Sequence, residues 1–178
     1  MTLELYRRMT PLSTRLIIER NGFRVLKRSV KFGLLNAVIG VLVGIHLAVT
    51  AIGSGYWVFI IAAPIAALLT AGIAWRFFQS EAERIEVPCL FIIGLITGSV
   101  SHYITFVLLG VAMNVLYWIG AYGGDSLGNP PPNLLMVLAG SFATTLYSLL
   151  FYGWVTVPAS ILAGFLVKWL EPKSPAVK

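Results

Sequence analysis

The chain alternates long apolar runs with short polar breaks, and the lengths of the runs set the architecture. Residues 32–52, FGLLNAVIGVLVGIHLAVTAI, would form a helix of about 30 Å, one bilayer core. Gly53-Ser54-Gly55 ends this run as a tight turn. A second run covers residues 56–78. Tyr56 and Trp57 lie at one border and Trp75, Phe77 and Phe78 at the other, the placement that membrane interfaces favour. Pro64 inside it predicts a kink of the kind membrane helices tolerate. The polar segment QSEAERIEV (79–87) follows. A third run opens at Pro88, a favoured first-turn position, and extends to residue 122.

The loop GGDSLGNPPPN ends the third run, because Pro130 to Pro132 cannot continue a helix. The last run, residues 134–170, would measure about 55 Å as a helix, well beyond one bilayer core. No polar turn divides it between Phe151 and Pro158. It therefore reads as one long helix, tilted and kinked near Gly153 to Pro158. The expected fold is all-α: a polytopic membrane protein with a four-transmembrane-helix bundle. Its spans are 32–52, 56–78, 88–122 and 134–170, followed by a tail at 171–178.

Residues 1–31 read as a separate basic segment. Thr10-Pro11 is a helix-start signal and Asn21-Gly22 a break. After the break, Phe23, Leu26 and Val30 share one helical face, with Arg24, Lys27, Arg28 and Lys31 on the others. That is a basic amphipathic segment suited to an interfacial position on anionic lipid headgroups.

Charge adds direction to this pattern. Eight of the 13 Lys and Arg precede Phe32. Arg76 and Arg84 flank the second connection, and Lys168, Lys173 and Lys178 mark the C-terminal end. The first and third connections carry none, so both termini are expected on the cytoplasmic side of what reads as a bacterial cytoplasmic (inner) membrane. A net charge of +6 might suggest nucleic acid, but the excess lies beside the first apolar run, so no nucleic-acid partner is expected. About 31 residues precede that run, too many for a cleaved signal peptide. Charged residues make up 11% and hydrophobic ones 58%, which excludes a soluble domain of this length. The single cysteine, Cys89, excludes an internal disulfide framework and a Cys-based zinc site.

Candidate chemistry is sparse. No Asp or Glu falls within any span, which counts against a carboxylate proton relay. His46 and His102 each lie 14 residues beyond the start of their span, so they share a depth of about 21 Å. A facing pair could ligate haem or a metal or share a proton, yet ordinary hydrogen bonding inside the bundle explains each equally well. In the third span Gly94, Gly98, Ser101 and Thr105 form a stripe flanked by Thr97 and His102. It fits either a helix–helix seam or a hydroxyl-lined path. His46, Thr97, Ser101, His102 and Thr105 are therefore the candidate ligand or pathway residues. In the first span Asn36, Gly40 and Gly44 are spaced by four and point to helix packing. Asn114 lies on the far side from the Gly94 stripe, and an unpaired amide there would be costly, so a second contact is expected for it, with a helix of this chain or another subunit.

No enzyme motif, metal cluster or nucleotide loop is present in the sequence, and no cofactor is expected unless the histidines hold haem. The favoured reading is a non-catalytic accessory, assembly or scaffold subunit. It would pack against other membrane helices as a homo-oligomer or hetero-complex. The alternative is a small solute or ion transporter or channel acting as an oligomer.

Overall fold

A computed structural model describes residues 12–52, 55–79, 86–124 and 127–171, with side chains from residue 25 onward except Gln79. The helix start at Thr10-Pro11, the Gly53-Ser54 turn, Arg84, Asp125 and the tail from 172 lie outside the described residues, as does the Arg24 side chain. The chain is all-helical. Helix α1 covers Leu12–Thr50, and a short 3-10 turn, Tyr56–Val58, leads into α2, Phe59–Gln79. Helix α3 covers Val87–Trp118 and α4 covers Leu134–Ser148. One π-helical turn, Leu149–Gly153, joins α4 to α5, Trp154–Trp169. Four helical stretches are long and apolar enough to cross a membrane: Val25–Thr50, Tyr56–Phe78, Val87–Trp118 and Leu134–Trp169. By length and hydropathy this is a multi-pass membrane protein whose helices pack as a bundle in contact with lipid.

Two boundaries differ from the sequence expectation. Helix α1 runs through Asn21-Gly22 without a break, so the basic segment and the first span form one helix. Asn and Gly weaken a helix by under about 1 kcal/mol each, too little to interrupt 39 residues. Helix α3 stops at Trp118 rather than Tyr122. Gly120, at φ +75°, turns the chain, and the amides of Gly120 and Ala121 bond back to the carbonyls of Tyr117 and Leu116. This double bond-back satisfies the last carbonyls of the helix, and glycine adopts the required left-handed conformation at no steric penalty. At the other end of the loop Asn133 caps α4, its side chain accepting from the Met136 amide at 2.9 Å.

The last apolar run is one continuous helical path, as its lack of a polar turn predicts. Its excess length is accommodated by the π turn, which lies just before Pro158, a residue that removes one intrahelical bond. The path ends beside α1. Arg28 and Glu171 form a two-pronged ion pair, with Nη2 donating to Oε2 at 2.8 Å and Nε donating to Oε1. This pair joins positions 143 residues apart and puts the end of α5 at the basic end of the bundle. Lys27 is exposed and Lys31 partly so.

Small residues let the backbones approach. A methyl group on Gly40 would come within 2.8 Å of the Pro64 amide nitrogen, and one on Gly44 within 2.8 Å of the Ile60 Cα. These two positions seat α1 on α2, the most extensive helix pair in the fold. Gly94 and Gly98 likewise meet Ile161 and Val157, each 2.6 Å from a hypothetical methyl, and seat α3 on α5. Both pairs therefore serve seams within this chain. At the basic end the seams close over an apolar cluster of Phe32, Trp75, Leu90, Ile93 and Val167, all buried, with the Phe32 and Trp75 rings 5.0 Å apart.

The Arg28→Glu variant should lose about 1.5–3 kcal/mol of stability in detergent, since a charge-assisted pair becomes a repulsive one. Arg28→Glu combined with Glu171→Arg should recover most of it. A double variant no more stable than the single one would contradict a last helix that crosses once.

Candidate functional site

Among the described residues ten polar side chains are buried, and five of them, Asn36, His102, Thr105, Thr156 and Ser160, line one cavity. It has a volume of about 50 Å³, room for a few water molecules. Helix α1 contributes Asn36, and α3 contributes Ser101, His102 and Thr105. The last helix adds Ser148, Thr156 and Ser160. The apolar walls come from Val43 and Leu47 of α1, Phe59 and Ala63 at the start of α2, and Phe106 of α3. No charged side chain lines it. The apolar cluster lies about one helical turn beyond Asn36 and Ser160 and closes the cavity toward the basic end.

His102 is the centre of the arrangement. It is buried, and both ring nitrogens are engaged by the last helix. Nδ1 lies 2.7 Å from Ser148 Oγ, and Nε2 lies 2.9 Å from Thr156 Oγ1. Those two hydroxyls flank the π turn, so one imidazole spans the irregular segment from before to after. The carbonyl acceptors around Thr156 favour one tautomer. Thr156 has one hydroxyl hydrogen and two carbonyl acceptors in reach, Tyr152 O at 3.1 Å and Gly98 O at 3.3 Å. With that hydrogen on a carbonyl, Thr156 Oγ1 accepts from Nε2–H. Nδ1 then accepts from the Ser148 hydroxyl, and the ring is neutral with its proton on Nε2.

A second connection ties α1 to α5. Ser160 Oγ donates to Asn36 Oδ1 at 2.6 Å, and Asn36 Nδ2 donates to its own helix at Phe32 O, 2.9 Å. Thr105 donates to Ser101 O at 2.7 Å. The remaining sequence candidates fall elsewhere. Thr97 is buried but does not line the cavity, and its hydroxyl has no partner among the described residues. His46 is exposed and meets the Tyr152 ring edge-on, with centroids 6.0 Å apart. Both histidines thus touch the π-turn segment, but no bond or ring contact joins them among the described residues. Asn114 finds its second contact in the loop: Nδ2 reaches Pro132 O at 2.9 Å as well as Gly110 O.

A haem or metal held between the two histidines does not fit this packing. Ligation needs a free imidazole lone pair, and the one on His102 is taken by Ser148. Among the described residues no group of three or more His, Cys, Asp or Glu could hold a metal ion. A larger groove of about 400 Å³ on the α2–α3 surface is lined by Ile73, Phe77, Val100 and other apolar side chains. Its one hydroxyl, Thr70, donates to its own helix, so the groove offers contact with lipid chains and no polar chemistry.

Ser148, Thr156 and Ser160 are not among the candidates that the sequence singles out. Their signal is hydroxyls at positions 148, 156 and 160 of one run, spaced by eight and four. Comparison with known proteins gives no match: no family model, curated protein or solved structure is significantly similar to the chain.

Nitrogen-15 spectra of labelled His102 in bilayers should show Nε2 protonated and Nδ1 as the bare, accepting nitrogen. A proton on Nδ1 would contradict the hydrogen count at Thr156.

Proposed function

We propose that this chain is a small membrane transporter or channel, and that the His102 cavity is the site its cargo occupies. The observation that carries the reading is the convergence of polar side chains from α1, α3 and the last helical path on one cavity of a largely apolar bundle. Intramembrane polar groups are costly to keep, and their collection at one point favours a site over packing alone. The accessory-subunit reading rests on the glycine seams and the basic N-terminal segment as partner surfaces. Gly40, Gly44, Gly94 and Gly98 already serve helices of this chain, which weakens that support. What still favours it is the outward face of α4, where Gly140 has open space beside it and Ala143 and Thr144 are exposed.

In the transport reading the basic end faces the cytoplasm. In that reading the path continues from the cavity past Leu47, Phe59 and Phe106, which line it on the side away from the basic end. The Phe32–Trp75 cluster is the inner barrier, about one helical turn deep past the cavity. The described conformation is then the inwardly closed one. Movement of the last helix relative to α1 and α3 would open it, and the π turn beside His102 is the pliant point.

The test is flux through proteoliposomes of the purified protein, read with dyes for protons, alkali cations and chloride and by light scattering for water. Wild type should pass at least one of these species, and His102→Ala should reduce that flux at least tenfold with folding retained. Trp75→Ala should increase it by thinning the barrier. A folded wild type that passes none of the four, or a flux indifferent to both substitutions, would overturn the proposal. Stoichiometric recovery with an unrelated membrane subunit would favour the accessory reading instead.

A further inference from the structure

The direction of the hydrogen bonds around the cavity narrows what it can hold. Each hydroxyl there has one hydrogen and two lone pairs. The Thr105 hydrogen is directed at Ser101 O, and the Ser160 hydrogen at Asn36 Oδ1. The Thr156 hydrogen is directed at a backbone carbonyl, and with the ring proton on Nε2 the Ser148 hydrogen goes to His102 Nδ1. His102 Nε2–H is in turn given to Thr156. Four hydroxyls on the cavity wall thus turn their hydrogens into the protein, leaving oxygen lone pairs for an occupant. The donors left over are the Ser101 hydroxyl and one N–H of Asn36. The wall is rich in acceptors and poor in donors.

We propose that the cavity binds a small monovalent cation, of the size of sodium, potassium or ammonium, through these hydroxyl oxygens. The inference deepens the transport reading by naming its cargo class, and it rests on that reading only for the movement of the ion. Oxygens whose hydrogens point away are the ligands that replace an alkali ion's hydration shell. An anion would face the same lone pairs and be repelled. A divalent ion would require carboxylates, and none lines the cavity. The volume of about 50 Å³ admits a bare or singly hydrated monovalent ion and excludes a large organic cation. Burying one positive charge without a counter-charge is costly, so occupancy is weak and brief, as conduction requires.

Two measurements test this. The first compares thermal unfolding in detergent with sodium, potassium or ammonium chloride against choline chloride at equal chloride concentration. The small cations should raise the unfolding midpoint relative to choline. Thr105→Val, close in shape and lacking only the oxygen, should diminish that difference, and Ser148→Ala should do the same as a second variant. Equal midpoints in all four salts would overturn the inference, whether or not the protein transports anything. The second measurement is the reversal potential of proteoliposomes in a tenfold sodium chloride gradient. A potential of the sign set by sodium supports the inference, and one of the sign set by chloride overturns it while leaving the pathway reading intact. Selective stabilisation by small cations without any conductance would support the site and defeat the pathway.

Discussion

The two hydrogen bonds of His102 are the constraint on which the rest of the structure depends. A bilayer offers no water to an imidazole, so both ring nitrogens must be satisfied from within the chain. Ser148 and Thr156 do this from either side of the π turn. Ser148 precedes the irregular turn and Thr156 follows it, so the single ring bridges the segment from one side to the other. The bridge holds α5 against α3, where Gly94 and Gly98 allow the close approach of Ile161 and Val157. It also orients Ser160 toward Asn36 and so fixes α1.

Seams and site divide the bundle along its length. Toward the basic end, glycine contacts, the Phe32–Trp75 cluster and the Arg28–Glu171 pair make a tight plug. Toward the opposite end α4 packs chiefly on α3, and all but three of its side chains, Val137, Ser141 and Thr145, lack full burial. The cavity lies where tight packing gives way to loose packing. A bundle with one firm end and one loose end is a reasonable base for motion, because a pivot needs a fixed part and a free part.

Most of the architecture was legible in the sequence because bilayer thickness and the absence of polar turns leave few alternatives. The second span, Tyr56–Phe78, matches its expected limits. The unbroken run from Leu134 followed from the apolar stretch between Phe151 and Pro158. The second partner expected for Asn114 on a helix or another subunit is instead a loop carbonyl, Pro132 O. The Asn21-Gly22 break misled, because two weak residues do not stop a long helix. The Gly120 stop was missed because the left-handed turn it makes depends on bonds to Leu116 and Tyr117 that composition does not display.

The site was half legible. Ser101, His102 and Thr105 stood out as polar residues on a small-residue stripe, and the cavity includes all three. The stripe is a seam at its glycines, which pack on α5, while Ser101, His102 and Thr105 line the cavity. The equal depth of His46 and His102 carried no pairing, because depth says nothing about rotation around the helix axis. Thr156 was invisible since its importance comes from the π turn, which re-aims every side chain after Gly153.

The central claim is that His102 and Thr156 act as one unit holding α3 to the last helix. A double-mutant cycle of unfolding stability, with His102→Leu, Thr156→Val and the two combined, tests it most directly. The account predicts a coupling of about 0.5–2 kcal/mol, the double variant losing less than the sum of the single ones. Strictly additive losses would show that the two side chains do not share an interaction and would contradict the account.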